Sequence, residues 1–210
     1  MKTLNEINEE LKALYGETSL DFTDKGAATG HSYIDFYASH FDPIREQSLR
    51  MLEIGISSGG SALLWSEYFP EVDYYAIDYL PDFTSERPFH GKIKADDRLS
   101  LYFGQNSFDK ELAEQFGTET IDIIIDDGDH RSQAQWETFQ NYWPAVTVGG
   151  TYFIEDVSDK ATAEALVPHL QTFIELRGET CEIGTYTGWR IAEGRFDDII
   201  IYIKKLSVSQ

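Results

Sequence analysis

The stretch from Ile121 to His130 constrains the fold of this chain more than any other. It begins with a β-branched apolar run, 121–125, that is typical of a strand buried on both faces of a sheet. It ends abruptly in Asp126-Asp127-Gly128-Asp129-His130. Acids and a histidine directly after a buried strand are stable only where they meet water, a metal ion or a ligand. Since ligands of open α/β sheets bind beyond the carboxyl ends of the strands, we predict a site here.

The remaining hydrophobic pattern alternates between strands and helices. Apolar spacing predicts strands at 50–55, 72–78, 99–104, 121–126, 148–154, 180–186 and 198–204. It predicts helices at 4–15, 31–41, 62–69, 109–116, 133–143 and 160–176, and an irregular connection at 79–97. The pair Gly149-Gly150 is expected to form a turn at the start of the fifth strand. This order predicts a doubly wound α/β fold, with a seven-stranded, mainly parallel sheet and helices on both faces.

Length indicates one domain over 1–210, in which 1–45 supply N-terminal helices and 46–210 form the α/β core. The helix around His31, Tyr33 and Tyr37 has two open interpretations. It packs on the sheet, which we favour, or it forms a lid over the site. The sequence alone does not decide whether the N-terminal helix contacts its own sheet or a neighbouring copy in a homo-oligomer.

Composition excludes several classes of partner. The chain is 41% hydrophobic and 14% aromatic, as expected for a globular protein with a full core. Its 17 basic and 37 acidic residues give a net charge of −20, which repels nucleic acids and anionic membranes. We find neither a long apolar run nor a signal-peptide pattern, so no membrane span is expected. The single cysteine, Cys181, favours a reducing, cytoplasmic location.

A glycine-rich turn follows the first strand. Gly55, Ser57 and Gly59 lie between that strand and the next helix, where glycine lets the backbone approach a ligand and the helix start offers free N–H groups. Asp78 ends the second strand. Its spacing along the sequence from the first strand is usual for an acid that accepts a hydrogen bond from a ribose hydroxyl. The alternative for Asp78 is a helix cap or turn residue. Together these features indicate a nucleotide-type ligand.

Three acidic strand ends are expected to meet at one edge of the sheet. Asp127 follows the fourth strand, and Glu155 and Asp156 follow the fifth. Adjacent carboxylates repel one another unless a cation or protons neutralise them, and Mg²⁺ prefers oxygen ligands of this kind. His130 lies close enough to act as a general base, since its unperturbed pKa is about 6.5. The alternatives are that Asp127 and Asp129 cap the following helix and that His130 is structural.

Four motifs together resemble those of a known enzyme family. They are Thr23-Asp24-Lys25-Gly26 with His31 and Tyr33, Leu52–Gly55, Ile124–His130 and Gly149–Asp156. With them the chain resembles class I S-adenosylmethionine-dependent methyltransferases, which have a Rossmann-like fold. More narrowly, it is similar to the metal-dependent O-methyltransferases that act on macrolide sugars and to the cephalosporin-hydroxylase-like family.

The resemblance implies roles for the predicted site residues. The glycine-rich turn, with Gly55, Ser57 and Gly59, would lie against the methionine part of S-adenosylmethionine. Glu53 would lie below this turn. Asp78 would hold the ribose, and the adenine would be bordered by Gln105 and Asn106. A divalent metal such as Mg²⁺ would be bound by Asp127, Glu155 and Asp156. His130 would be the base. Asp126 either orients the cofactor or braces its loop. Ser57 stands where glycine is more usual, a replacement that a serine tolerates if its φ stays negative.

The function expected from these roles is metal-assisted O-methylation. The acceptor would be a hydroxyl of a small molecule, such as a sugar, a polyol or a natural-product intermediate. A metal-dependent hydroxylase of the same fold is one alternative, although the acids lack the two histidines of the common iron site. A non-catalytic module that binds S-adenosylmethionine or a metal is the other.

Overall fold

Seven strands form one sheet in the computed structural model, which describes residues 1–18, 21–26 and 30–207. The strands are β1 Leu49–Ile54, β2 Val72–Asp78, β3 Leu99–Phe103, β4 Ile121–Asp126, β5 Val146–Ile154, β6 Thr180–Thr187 and β7 Ile199–Leu206. Their order is β3-β2-β1-β4-β5-β7-β6, and β7 is the one of these seven strands that runs opposite to the others. The predicted doubly wound, seven-stranded fold is therefore confirmed.

Helices cover both faces because the strand side chains alternate. The helices are α1 Leu4–Tyr15, α2 Ile34–Phe41, α3 Gly60–Tyr68, α4 His90–Lys94, α5 Lys110–Gln115, α6 Ser132–Tyr142 and α7 Lys160–Leu176. Ile123 and Ile125 of β4 lie in the core beneath α1 to α4, whereas Ile124 lies in the core beneath α5 to α7. The central strand is thus buried on both faces, as its β-branched run predicts.

Helix α2 packs on the sheet, as favoured from the sequence. Phe36, Tyr37 and Phe41 are buried, and their rings contact Trp65 of α3 and Phe153 of β5. The helix begins at Ile34, later than predicted. As a result His31 and Tyr33 precede it, in the segment that reaches the strand ends.

Two boundaries differ from the sequence prediction. Strand β5 begins at Val146, so Gly149-Gly150 lies within the strand and not in a turn before it. Gly149 has φ +90°, and the pairing of β4 with β5 shifts register between Ile121 and Ile123, so the glycine pair lies in an irregular stretch of strand. The connection 79–97 also contains the short helix α4, which the sequence prediction did not include.

Hydrogen bonds join the ends of the three central strands. The N–H of Asp127 donates to the carbonyl of Ile54 at 2.8 Å, and the N–H of Glu155 donates to the carbonyl of Asp126 at 2.9 Å. The residues that follow β1, β4 and β5 are thereby fixed side by side. Among the described residues, none of the helices combines the length and apolar character that a bilayer crossing requires.

Candidate active site

The turn after β1 has three residues in the left-handed region, at alternate positions. Gly55 has φ +85°, Ser57 has φ +47° and Gly59 has φ +83°. A Cβ at Gly55 would overlap the backbone carbonyl of Asp127, so only glycine fits between the ends of β1 and β4. Gly59 is the N-cap of α3 and gives no side-chain hydrogen bond to the first turn. The free backbone N–H groups at the start of α3 therefore suit an anionic group of a ligand.

Ser57 does not meet the condition under which a serine fits this position without strain. Its φ is +47°, in the left-handed region, which is less favourable for serine than for glycine. Asp78 holds the turn in this conformation, because its Oδ2 accepts hydrogen bonds from the N–H groups of Ile56 and Ser57, each at 3.0 Å. Asp78 therefore braces the turn, and its predicted contact with a ribose stays a prediction.

The other predicted cofactor residues occupy different environments. Glu53 is fully buried beneath the turn, where Tyr74 donates a hydrogen bond to it. Asp126 is buried on the opposite face, where the Tyr152 hydroxyl donates to its Oδ2 at 3.2 Å, and burial raises its pKa to about 7. This contact joins Asp126 to Tyr152 of β5, and the predicted contact of Asp126 with a cofactor stays a prediction.

Gln105 and Asn106 lie beyond the end of β3, and both side chains are exposed. The N–H of Gln105 donates to the carbonyl of Asp78 at 3.0 Å. The segment is thus fixed next to the end of β2, on the side of the turn where an adenine was predicted. The contact of either side chain with an adenine stays a prediction.

Asp127, His130 and Asp156 form the acidic part of the site. His130 Nε2 lies 3.4 Å from Asp127 Oδ1, and His130 Nδ1 lies 3.7 Å from Asp156 Oδ2. The histidine is half-exposed, whereas the two carboxylates are largely buried. Asp156 has φ +53°, a left-handed conformation that is strained for an aspartate.

The pKa of His130 differs from the unperturbed value that the sequence prediction used. The hydrogen bond and charge of Asp127, with Asp156 nearby, raise the pKa of His130 to about 9, so the ring is largely protonated at neutral pH. Burial would raise the pKa of Asp127, but Lys25 and His130 lower it below its usual range. His130 can act as a base near pH 7 only when a cation offsets the neighbouring carboxylates.

Lys25 is the site residue that sequence reasoning missed. It is fully buried, and its Nζ lies 2.6 Å from Glu155 Oε2, 2.9 Å from Asp127 Oδ2 and 3.4 Å from Glu53 Oε1. Burial disfavours its charge, but these carboxylates raise its pKa well above the usual value. Its place in the Thr23–Gly26 motif was the available signal, but the resemblance assigned no role in the site to a residue of that motif.

The segment that leads into α2 supplies further contacts. Tyr33 donates a hydrogen bond from its hydroxyl to Asp156 Oδ1 at 2.8 Å, and Tyr37 donates one to Glu155 Oε1. His31 Nε2 lies 3.1 Å from Asp156 Oδ2. These side chains therefore connect the N-terminal region directly to the acids that follow β5.

Within the described part of the chain, two groups have donor atoms close enough to share a metal ion. One is Asp127, His130 and Asp156, and the other is Asp24, His31 and Asp156, with atoms within 4.8 Å of one another in each group. Carboxylate oxygens of the first group fit a hard divalent cation that keeps its remaining positions for water or substrate. Glu155 belongs to neither group, because its oxygens face Lys25 and Tyr37.

A buried cluster of Asp198, Ser32 and His31 stabilises the segment that leads into α2, beside the site. Asp198 accepts hydrogen bonds from the N–H and hydroxyl of Ser32, at 2.8 and 2.6 Å, and lies 3.5 Å from His31 Nδ1. Burial would raise the pKa of Asp198, but the hydrogen bonds from His31 and Ser32 lower it to about 2. The carboxylate therefore stabilises the fold fully above about pH 4, and this contribution is lost as pH falls toward 2.

We expect Asp198→Asn to lower the free energy of unfolding at pH 7 by about 2 kcal/mol. The difference from wild type should shrink as the pH falls from 4 to about 2. Denaturant unfolding at several pH values measures it, with the exposed Asp82→Asn as the control. A difference that stays constant over this range would contradict the role assigned to Asp198.

Several curated proteins are similar to part of this chain in sequence. A curated relative from Streptomyces olivaceus, 8-demethyl-8-(2-methoxy-alpha-L-rhamnosyl)-tetracenomycin-C 3'-O-methyltransferase, is 35% identical over 137 residues, covering 60% of this chain and 32% of the relative. Mycinamicin VI 2''-O-methyltransferase from Micromonospora griseorubida is 30% identical over 134 residues, covering 60% and 32%. The chain spans about a third of the length of these relatives.

A solved structure and a family match complete the comparison. The MycE methyltransferase in complex with Mg, SAH and mycinamycin VI superposes with a TM-score of 0.69 at 21% identity, covering 98% of this chain and 55% of that one. At this identity the likeness shows the fold. Residues 52–157, just over half of the chain, match the family described as "Methyltransferase domain". The matched segment runs from β1 to the acids after β5, and the chain belongs to this methyltransferase domain family.

Proposed function

We propose that the protein is an S-adenosylmethionine-dependent, divalent-metal-assisted O-methyltransferase that acts on a sugar hydroxyl of a small molecule. The observation that carries the proposal is the convergence of Asp127, His130 and Asp156, with donor atoms within 4.8 Å, beside the glycine turn of β1. The names of the relatives, which are sugar O-methyltransferases, support the acceptor class. A cytoplasmic location and assembly as a homo-oligomer stay predictions from the sequence.

The turn after β1 would hold the methionine part of the cofactor. Its glycines allow close approach of the backbone, and the uncapped start of α3 offers N–H groups to a carboxylate. Asp78 would keep the turn in its left-handed conformation while its carboxylate stays at the ribose side. Gln105 and Asn106 would border the adenine.

Asp127 and Asp156 would hold the divalent ion, which supplies a positive charge that lowers the pKa of a bound hydroxyl. The resemblance also implies Glu155 as a ligand, and the oxygens of this residue contact Lys25 and Tyr37. His130 would take the proton of the acceptor hydroxyl, as the hydroxyl oxygen forms its bond to the methyl carbon and the carbon–sulfur bond of the cofactor breaks. The protein's main contribution would be to align the reactants and to remove that proton.

Calorimetric titration tests the binding half of this proposal. We expect S-adenosylmethionine and S-adenosylhomocysteine to bind the purified protein, and Mg²⁺ to bind in their presence. The transfer half is tested by incubation with labelled S-adenosylmethionine and a panel of rhamnosides and other glycosides, with and without a chelator. If neither S-adenosylmethionine nor S-adenosylhomocysteine binds, the methyltransferase proposal is refuted. Full activity in the presence of the chelator would refute metal assistance.

We expect His130→Gln to lower kcat about 10²-fold, because the acceptor loses the group that takes its proton. Binding of S-adenosylhomocysteine should stay near the wild-type value, since the histidine lies outside the glycine turn. The measurement is steady-state kinetics beside calorimetry of the same preparation. His169→Gln, at an exposed position on α7, is the matched control. Unchanged kcat in His130→Gln would remove the histidine from the mechanism.

A further inference from the structure

The connection between β6 and β7 begins at the edge of the sheet that carries the site. Strand β6 runs in the same direction as β1 to β5, because β5 and β6 are both antiparallel to β7. Its carboxyl end, at Thr187, therefore lies at the same edge as the ends of β4 and β5. The connection 188–198 then forms a short 3-10 helix, Trp189–Glu193, before β7 begins at Ile199.

Two side chains join the last part of this connection to Asp156. The Tyr33 hydroxyl donates to Asp156 Oδ1 at 2.8 Å and lies 3.0 Å from the carbonyl oxygen of Asp197. His31 Nε2 lies 3.1 Å from Asp156 Oδ2, and Arg195 Nε lies 3.2 Å from His31 Nδ1. Residues 195–197 are thus separated from Asp156 by the width of one side chain.

A cavity of about 410 Å³ lies at this connection. Among the described residues, its lining consists of Gly30, residue 190 and residues 193–197. The volume is in the range of small-molecule sites and is larger than a single sugar ring requires. Phe196 supplies aromatic surface to the lining and is 68% exposed. Covering this ring with the apolar face of a ligand would be favourable, because it removes apolar surface from water.

The charged side chains of the lining form two opposite pairs. Arg190 Nη1 lies 3.8 Å from Glu193 Oε2, and Arg195 Nε lies 2.9 Å from Asp197 Oδ1. The lining therefore carries two positive and two negative charges, although the whole chain has a net charge of −20. Paired charges offer hydrogen-bond donors and acceptors to a ligand without favouring either sign of charge. This combination suits a neutral ligand with several hydroxyl groups.

We propose that this cavity is the subsite for the sugar of the methyl acceptor, and that Phe196 is a specificity-determining residue. Its ring would contact the apolar face of a neutral pyranose, while the paired side chains would bind the hydroxyl groups around the edge of that ring. This inference rests on the proposed function and adds to it the residues that recognise the acceptor. The nearness of residues 195–197 to Asp156 would place the sugar beside the group that activates its hydroxyl.

The first test measures the contribution of Phe196 by saturation-transfer NMR in saturating S-adenosylhomocysteine. The probes are the neutral glycosides methyl α-L-rhamnopyranoside and methyl α-D-glucopyranoside. Phe196→Ala should weaken binding of the better probe at least about fivefold, because the sugar loses its aromatic contact. Since Phe196 is mostly exposed, we expect this variant to fold, and circular dichroism checks it.

Trp189→Ala is the matched control for Phe196→Ala. Trp189 belongs to the same connection and is 57% exposed, but it lies outside the described lining. Its substitution should change the dissociation constant by less than about twofold, as expected for a surface residue without a ligand contact. Equal effects of the two variants would overturn the inference. It would also be overturned if wild-type protein bound neither glycoside at up to about 50 mM, a concentration that detects even weak binding.

The second test examines the paired charges. The probes are methyl α-D-glucopyranoside and the corresponding glucuronide, which differ in a carboxylate. Glu193→Gln removes one negative charge of the lining, so the preference for the neutral glycoside should fall at least about twofold. Glu164→Gln removes the same charge from an exposed position on α7 and should leave the preference unchanged. An unchanged preference in Glu193→Gln, or equal changes in both variants, would overturn the inference.

The outcomes separate this inference from the proposed function. If wild-type protein methylates a glycoside while Phe196→Ala leaves its KM and its saturation transfer unchanged, the inference fails and the methyltransferase proposal stands. If glycoside binding depends on Phe196 but neither S-adenosylmethionine nor S-adenosylhomocysteine binds, the methyltransferase proposal fails. The cavity is then a glycoside site without that activity, and the same titrations without S-adenosylhomocysteine measure it.

Discussion

Asp127→Asn is expected to reduce methyl transfer by at least about 10³-fold, the largest effect on activity that we predict. Asp127 contacts His130 through Oδ1 and Lys25 through Oδ2, so a single side chain joins the proposed base to the buried lysine. Asparagine keeps the shape but removes the charge that a divalent ion requires. Turnover at saturating Mg²⁺ and acceptor measures the effect, with circular dichroism to confirm the fold.

Asp129→Asn is the matched control for this experiment. Asp129 lies two residues further along the same loop, but its carboxylate binds the Arg131 side chain, with distances of 2.9 and 3.0 Å to Nε. It should change turnover by no more than about threefold, as expected for a surface pair. If both aspartates gave the same loss, the loop as a whole would be responsible, and the specific role of Asp127 would be refuted.

Gly55→Ala is expected to lower the free energy of unfolding by about 3 kcal/mol or more. Two costs combine at this position. The φ of +85° disfavours any side chain, and the added Cβ would overlap the backbone carbonyl of Asp127. Relief of the overlap requires the ends of β1 and β4 to separate, so binding of S-adenosylhomocysteine should weaken as well. Denaturant unfolding and calorimetry measure the two effects.

Gly149→Ala isolates the conformational cost. Gly149 has φ +90°, close to that of Gly55, but a Cβ there would meet nothing within 4 Å. Its substitution should cost only about 1 kcal/mol, the penalty for a left-handed side chain. The difference between the two variants measures the close approach of β1 and β4. Equal losses would show that backbone conformation alone makes Gly55 necessary.

Much of the fold followed from local patterns in the chain. The β-branched run of β4 indicated a strand buried on both faces, and both faces are covered. Parallel strands place their carboxyl ends at one edge, which is why acids after β4 and β5 could be assigned to one site. The start of β5 was less predictable, because Gly149-Gly150 has the sequence of a turn but lies within a strand.

The sequence by itself determined the class of fold, the edge of the sheet that carries the site and the residue types gathered there. These depend on hydrophobic period and on the order of strands and helices, which neighbouring residues encode. Only the tertiary structure decided how those residues divide their work. Lys25 meets Glu155 across 130 positions of sequence, and no local pattern records that contact.

The same reason explains the remaining differences. The positive φ of Ser57 depends on hydrogen bonds to Asp78, which lies on another strand. The pKa of His130 rises to about 9 because two carboxylates from different strand ends surround it. Charges, hydrogen bonds and burial act through space, so the protonation of His130 and the partner of each acid follow from packing, not from spacing along the chain.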